Sequence, residues 1–320
     1  KGWRDPDALT VLGIANTNQQ DPIAGRVKAK EAYLELQVPL LADLPFAQRL
    51  ELNAAARYTD YSTSGTVWSW KVGGNYEPIP DLRFRGTLSR DIRAPNNFEL
   101  FSKGNQVINS IIDPGDNIAR QTTLITGGNP NLLPEKADTY SVGFVVQPDW
   151  LSGFRASFDY YNIKVKDAIS VVAGQDIANF CARGQAQFCP SIIRTNGIIT
   201  RINIVPFNAN SQEVAGQDFE AVYSFPLDLA SIGGDMQLRL LASHADKLST
   251  TANGRTDDYV GLAGISPPPQ GVPEWRVNLS ANYSVEIGSE MKLGANLSYV
   301  YQDSIYWGPD NTNREPGYGQ

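Results

Sequence analysis

His244 is the residue at which acid–base catalysis would have to start, because the chain contains no other histidine. Ser243 precedes it and Asp246 follows it by two residues, so the residue types of a serine hydrolase occur close together. Successive residues of a strand point to opposite faces, however, which is poor geometry for a nucleophile and its base. We therefore predict a histidine at the edge of a loop and no enzyme activity, with a β-rich hydrolase as one alternative.

Metal chemistry has few candidate residues. The segment Asp113-Pro-Gly-Asp-Asn117 offers oxygen ligands for calcium, but it lacks the ordered ligand spacing and the terminal glutamate of a known calcium loop. We predict an ordinary turn there. One histidine and two cysteines leave little for a zinc or iron site, so no metal and no cofactor is predicted.

The two cysteines, Cys181 and Cys189, lie close together in a segment rich in loop residues. In an oxidising compartment they would close a small loop as a disulfide, whereas in the cytosol they would be two free thiols. The residues alone leave both states open.

Charge and hydropathy restrict the class of protein. The 320 residues include 27 Lys and Arg against 34 Asp and Glu, a net charge of −7, and no basic block occurs, so no nucleic-acid partner is predicted. Apolar residues make up 42% of the chain, yet no uninterrupted apolar run exceeds three residues. This excludes a transmembrane helix, which needs about 20 apolar residues, and disfavours a parallel sheet with buried strands.

The apolar residues instead recur at every second position, which indicates strands. Residues 274–286 show this most clearly, because Trp275, Val277 and Leu279 alternate with polar residues that include Asn278 and Asn282. Asn278 and Asn282 each begin an Asn-x-Ser sequence and lie on the polar face. Asparagine and serine are expected on a wall that faces a water-filled lumen, so we do not interpret these sequences as glycosylation sites. Along the chain we count ten such strands of about 10 to 13 residues and predict no helix.

Connection lengths and aromatic positions indicate where such a sheet would lie. Short connections alternate with long ones; the short ones are 41–47, 78–81, 147–153, 226–234 and 287–289, and the long ones are 93–136, 167–213 and 247–272. About 11 residues of tilted strand span roughly 28 Å, close to the apolar band of about 25 Å in an outer-membrane barrel. Aromatic residues cluster near both strand ends, as in membrane girdles, although β-propensity alone also favours them in strands. We predict an all-β fold, an antiparallel transmembrane β-barrel section; a secreted all-β carbohydrate-binding or adhesin domain is the alternative.

Four segments resemble the barrel of bacterial TonB-dependent receptors, and they occur in the family's order over roughly residues 30–305. They are Glu31-Ala-Tyr-Leu-Glu-Leu-Gln-Val-Pro-Leu-Leu41, Ser89-Arg-Asp-Ile-Arg-Ala-Pro-Asn-Asn-Phe-Glu-Leu-Phe101, Gly128-Asn-Pro-Asn-Leu-Leu-Pro-Glu-Lys-Ala137 and Val272-Pro-Glu-Trp-Arg-Val-Asn278. The loop with Cys181 and Cys189, followed by a strand entered through Val214-Ala-Gly-Gln-Asp-Phe-Glu-Ala221, is also similar to this family. Asp91-Ile92 departs from the Gly-Phe pair that is common before Arg-Ala-Pro.

The resemblance implies a plugged barrel of about 22 strands that imports a scarce ligand across the bacterial outer membrane. The ligand would be a small molecule such as an iron chelate or an oligosaccharide, outer-membrane lipid would surround the barrel, and TonB would act through a plug region that is not in this chain. We expect residues 1–320 to be a middle section of the barrel, without the plug domain and the final strands. Long loops would be extracellular, short turns would be periplasmic, and the two cysteines would form a disulfide.

The expected contacts follow from this arrangement. Ligand contacts are expected at Tyr306 and Trp307, where aromatic rings suit stacking, and at Asn105, Asn109 and Asn129 in the loop rich in amides. Arginines expected to face the lumen and the plug are Arg83, Arg85 and Arg93.

Overall fold

A computed structural model describes residues 2–4, 8–12, 22–227, 233–252, 255–262, 272–287, 291–306 and 314–319. The strands are β1 (Gly2–Arg4), β2 (Ile23–Gly25), β3 (Ala29–Leu44), β4 (Ala47–Tyr61), β5 (Gly65–Ile79), β6 (Leu82–Arg93), β7 (Asn105–Asp113), β8 (Ile118–Thr126), β9 (Glu135–Val146), β10 (Phe154–Ser170), β11 (Ile192–Thr195), β12 (Ile198–Ile204), β13 (Phe207–Pro226), β14 (Gly234–Ala252), β15 (Arg255–Asp258), β16 (Trp275–Ile287), β17 (Met291–Gln302), β18 (Ile305–Tyr306), β19 (Arg314–Glu315) and β20 (Tyr318–Gly319). The helices are α1 (Ala8–Val11), α2 (Asn97–Phe101), α3 (Gly174–Ala182) and a 3₁₀ helix at Ala186–Ser191. No helix within these residues is long and apolar enough to cross a membrane.

One antiparallel sheet contains most of the strands, in the order β20-β17-β16-β14-β13-β10-β9-β6-β5-β4-β3, with β15 added beside β14. Ten of its strands are long, which confirms the predicted number: β3, β4, β5, β6, β9, β10, β13, β14, β16 and β17. Four of them have 12 or 13 residues, within the predicted length. The other six have 15 to 20 residues, because strands such as β13 continue into segments that had been predicted as loops. The long sheet is therefore a meander in which neighbouring long strands follow each other along the chain.

The register places apolar residues beside apolar residues across nine of the long strands. One row, from β4 to β17, consists of Leu50, Tyr76, Phe84, Phe144, Phe158, Phe219, Ala242, Val277 and Tyr301. Rings along it are in contact, for example Phe158 with Phe219 at 4.9 Å between centroids. Several side chains of this apolar face are exposed, including Val142 and Leu279. A sheet with so many exposed apolar side chains on one face is suited to a lipid environment.

The residue beside each of these, after it in one strand and before it in the next, belongs to a polar row on the opposite face. It consists of Glu51, Asn75, Arg85, Gly143, Asp159, Asp218, Ser243, Arg276 and Gln302. Arg85 and Asp159 belong to strands separated by β9, yet they form an ion pair that passes over Gly143. A Cβ at Gly143 would lie 2.2 Å from Oδ1 of Asp159, so the pair requires glycine there. The alternation therefore separates an apolar face from a polar face over the whole width of the sheet.

A second unit forms from two segments that we had predicted as long loops. Strands β7 and β8 come from the first loop and β11 and β12 from the second, and they combine in the order β11-β12-β8-β7, with β12 parallel to β8. Helix α3 and the 3₁₀ helix cover one face of this small sheet. Their shared core contains Ile111, Leu124, Ile177, Ala178, Phe188, Ile199, Ile202 and Ile204. We call this unit, which spans residues 105–126 and 174–204, the loop subdomain.

The prediction of no helix was wrong for α3. The nine residues Gly174–Ala182 place Ile177 and Ala178 against the small sheet, and both are buried. A helix this short has only a marginal stability of its own and depends on tertiary packing. Part of that packing partner, strands β7 and β8, lies in a different loop, so the helix has only a weak local signal.

Candidate functional site

A network of ion pairs and hydrogen bonds lies at the loop end of the long sheet. It joins residues 89–101 and 128–137, two of the four segments that carry the family resemblance. The guanidinium of Arg93 donates to Glu135 at 2.5 and 2.8 Å and to Glu99 at 3.1 Å. Glu99 also forms a capping box with Asn96, which begins α2. The backbone of Gly128 packs directly against α2, because a Cβ at this position would lie 2.7 Å from the backbone of Leu100. Residues 93–101 and 128–135 are therefore one structural cluster that anchors the first long loop on the sheet.

The loop subdomain is held together by an ion pair between its two parent loops. Arg194 in β11 donates to both oxygens of Asp113 at 2.6 and 2.9 Å, and the backbone of Gly115 donates to Asp113 at 3.0 Å. The bond from Arg194 lowers the pKa of Asp113 to about 2, against the opposing effect of burial. Asp116 binds Arg120 instead. The two carboxylates that had been considered for calcium are therefore each paired with an arginine, Asp113 with Arg194 of β11 and Asp116 with Arg120 of β8.

We expect Asp113→Asn to destabilise the loop subdomain by about 2 kcal/mol at pH 7. The lowered pKa of Asp113 means that its stabilisation is complete above pH 4 and is lost as the pH falls from about 4 to about 2. Amide hydrogen exchange of residues 105–126, measured at pH 6 and pH 3, tests this. Expressed as protection factors, which correct for the intrinsic effect of pH on amide exchange, the wild type should be less protected at pH 3 than at pH 6, and the variant should be weakly protected at both pH values.

Asp116→Asn is the matched control, because Asp116 is 42% exposed and an exposed ion pair contributes little. Its exchange should follow the wild type. Equal pH dependence in the wild type and in Asp113→Asn would contradict the role assigned to Asp113.

The face of the small sheet opposite α3 carries mixed side chains. Ile108, Thr123, Arg201 and Ile193 form one cross-strand row, and Ile108 is 62% exposed. Arg201 is exposed and lies between Thr123 and Ile193, and an exposed guanidinium can bind an anion and stack on a planar group. This face can therefore contact a small ligand.

The predicted amide contacts lie in or beside the loop subdomain, and they differ in their bonding. The side chain of Asn129 donates to Pro206 O at 3.0 Å and accepts from the backbone of Asn131, so it connects the two loops. Asn105 begins β7 and is half-buried, and its carbonyl accepts from Thr126. Asn109 is exposed and its Oδ1 accepts only from the backbone of Ser110 among the hydrogen bonds of the described residues.

The predicted aromatic contacts lie elsewhere along the chain. Tyr306, in β18, is half-buried, and the guanidinium of Arg314 lies 5.9 Å from its ring centroid. Trp307 lies outside the described residues. The structure therefore does not bring Tyr306 into contact with the amides of β7.

The three predicted lumen arginines all have carboxylate partners within the chain. Arg83 binds Glu77 at 2.5 Å, Arg85 binds Asp159, and Arg93 binds Glu135. Arg83 and Arg85 lie on the polar face of the long sheet, in a hollow of about 320 Å³ that Arg155 also lines. Arg155 has no ion pair within the described part of the chain, and sequence reasoning had not singled it out.

Cys181 of α3 and Cys189 of the 3₁₀ helix are joined by a disulfide with 5.0 Å between their Cα atoms. His244 contacts Asp246 at 2.7 Å and Glu274 at 3.2 Å, beside the ring of Trp275. Ser243 points to the polar face and donates to Asp218 at 2.7 Å. The hydrolase arrangement is therefore absent at this place, since the hydroxyl and the imidazole lie on opposite faces of β14.

Sequence reasoning missed the pairing of β8 with β12, and with it Arg194 and Arg201. The only local signals were short alternating runs such as Ile198-Ile-Thr-Arg-Ile-Asn-Ile204. A parallel partner 78 residues away, as for Arg201 and Thr123, leaves no local trace.

A meander of long strands with one apolar and one polar face is the wall of a transmembrane β-barrel. The family model for the TonB dependent receptor-like β-barrel matches residues 2–320, and the chain belongs to this family. Members of the family are transporters of the outer membrane. No curated protein matches the sequence.

Solved structures agree on the fold. The siderophore receptor PirA of Acinetobacter baumannii is 16% identical, with a TM-score of 0.57 over 92% of this chain and 38% of that one. A variant of the ferric enterobactin receptor PfeA of Pseudomonas aeruginosa is 12% identical, with a TM-score of 0.55 over 91% of this chain and 36% of that one. The chain thus spans less than two fifths of the length of either receptor.

Proposed function

We propose that the chain is part of the wall of a ligand-gated importer that takes a scarce nutrient across the bacterial outer membrane and is not an enzyme. The observation that carries this proposal is the pair of register rows, one apolar and one polar, on opposite faces of the same nine strands. A secreted adhesin is surrounded by water, in which an exposed apolar face of that extent is unfavourable. In a barrel of about 22 strands the apolar face meets lipid and the polar face lines the lumen.

The partners follow from the family. TonB would supply energy through a plug region, the long loops would be extracellular, and the short turns would be periplasmic. The ligand would be an iron chelate or an oligosaccharide; the similar structures are a siderophore receptor, PirA, and a ferric enterobactin receptor, PfeA, which supports the iron chelate. Asn109 and the row containing Arg201 offer exposed polar groups for its capture.

A strain that lacks the complete gene tests this function. We expect slow growth on limiting iron supplied as ferric chelates, or on limiting oligosaccharides, and restoration by the intact gene. An uncoupler of the proton gradient should abolish uptake but leave ligand binding to cells unchanged. Recovery of the protein in the culture supernatant without detergent would contradict the proposal and favour the secreted alternative.

A further inference from the structure

A group of cations occupies the apolar face near the loop end of the long sheet. Arg90 and Lys164 lie on either side of Asp138 in one register row, and Lys136 and Lys166 are paired in the next row. These rows begin two residues beyond Tyr140 along β9, on the same face, where the rings of Tyr140 and Tyr160 are 5.9 Å apart. Together with Lys247 on β14, we call these five cations the cationic rim.

The cationic rim differs in sign from the rest of the chain. Its five cations face three carboxylates, Asp138, Asp167 and Glu213. Asp246, the chain neighbour of Lys247, is a fourth nearby carboxylate and is bound to His244 together with Glu274. The group keeps an excess of one positive charge in a chain whose net charge is −7. A local reversal of sign marks a surface that attracts anions.

The bonding within the cationic rim leaves one lysine available. Arg90 and Lys166 share Asp138, at 2.6 and 2.9 Å, and Lys247 binds Glu213 at 2.9 Å. Lys164 lies between these two pairs, is exposed, and has no ion pair within 4.0 Å in the described part of the chain. Lys136 is held only weakly, at 3.9 Å from Asp167.

We propose that the cationic rim binds the phosphate groups of lipid headgroups in the outer leaflet of the outer membrane. Interfacial tyrosines mark the boundary between the acyl chains and the headgroups, and the cationic rim lies immediately beyond them on the face that meets lipid. Lysine is a strong partner for phosphate, and each basic residue near an anionic lipid surface adds to its attraction. The proposal rests on the proposed function, because it requires the long loops to be extracellular.

The test uses the full-length receptor, purified from outer membranes in a mild detergent and stripped of lipid. Native mass spectrometry follows its titration with diphosphorylated lipid A, with dephosphorylated lipid A and with inorganic phosphate. We expect Lys164→Glu to weaken binding of the diphosphorylated lipid about tenfold. The control Lys30→Glu reverses a charge on the same face of β3, far from the cationic rim, and should leave binding within about twofold of the wild type.

Binding by Lys164→Glu equal to that of the wild type would overturn the proposal, as would equal binding of dephosphorylated lipid A. Displacement of lipid A by inorganic phosphate alone would assign the cationic rim to free phosphate instead. Circular dichroism of the variant establishes that it is folded. Ligand uptake by the wild type is measured separately. Uptake by a wild type that does not bind diphosphorylated lipid A refutes this inference alone, whereas recovery of the wild-type protein outside the outer membrane refutes the proposed function.

Discussion

Replacement of Leu279 with arginine is expected to prevent stable assembly of the protein in the outer membrane. Leu279 is the fifth of the 13 residues of β16, lies between Leu240 and Tyr299 on the apolar face, and is 45% exposed. An arginine on the lipid-facing side of a barrel costs about 2 to 4 kcal/mol near the bilayer midplane. Heat-modifiable migration of outer-membrane fractions and urea unfolding in lipid vesicles measure this loss.

The neighbouring residue provides the control. Ser280 points to the polar face, opposite Ser298 on β17, so Ser280→Arg places the same charge in the lumen. We expect this variant to assemble like the wild type. In a secreted protein both substitutions would be surface changes within about 0.5 kcal/mol, so equal stability of the two variants would refute the membrane assignment.

Truncation of Ile202 is expected to unfold the loop subdomain and leave the long sheet intact. Ile202 is completely buried in the core that β8, β12, α3 and the 3₁₀ helix share. Ile202→Ala should cost about 2 to 5 kcal/mol, because it removes buried methyl groups and leaves a cavity. Protease treatment of intact cells should cleave the variant in residues 105–126 or 192–204, and ligand binding should fall, while the amount of protein in the outer membrane stays constant.

Ile198 is on the same strand but is 39% exposed, which makes Ile198→Ala the control. This variant should resist protease like the wild type. If Ile202→Ala retained both protease resistance and ligand binding, the loop subdomain would not be the cooperative unit that its core indicates.

The long sheet could be predicted from the sequence because its information is local. Residues such as Trp275, Val277 and Leu279 alternate with polar neighbours, and short turns join pairs of strands such as β16 and β17, so period and turn length were enough to count ten strands. A short turn also fixes which residues of the two strands it joins face each other. The register between strands that a long loop joins, such as β6 and β9, is not fixed by a turn and appears only in the structure.

The loop subdomain could not be predicted in the same way. In the sequence, Asp113 is only one acidic residue of a turn. Its ion pair depends on Arg194, which is 81 residues away in the chain and lies beside it only in the folded protein. Likewise, Asn129 was predicted to contact the ligand, but its side-chain amide donates to the backbone carbonyl of Pro206. Arg83 and Arg85 were expected to face the lumen, and the periodicity placed them on the polar face, but their carboxylate partners depend on the register.

The parallel pairing of β8 with β12 has a consequence for how the protein is made. The hairpin of β9 and β10 lies between these two strands in the chain. One edge of β8 therefore stays unpaired until residues 198–204 have been synthesised and have reached it. Pairings between distant segments form slowly, because a long loop must close first. Assembly of the long sheet should therefore precede closure of the loop subdomain, and a chaperone that shields strand edges would matter most during this interval.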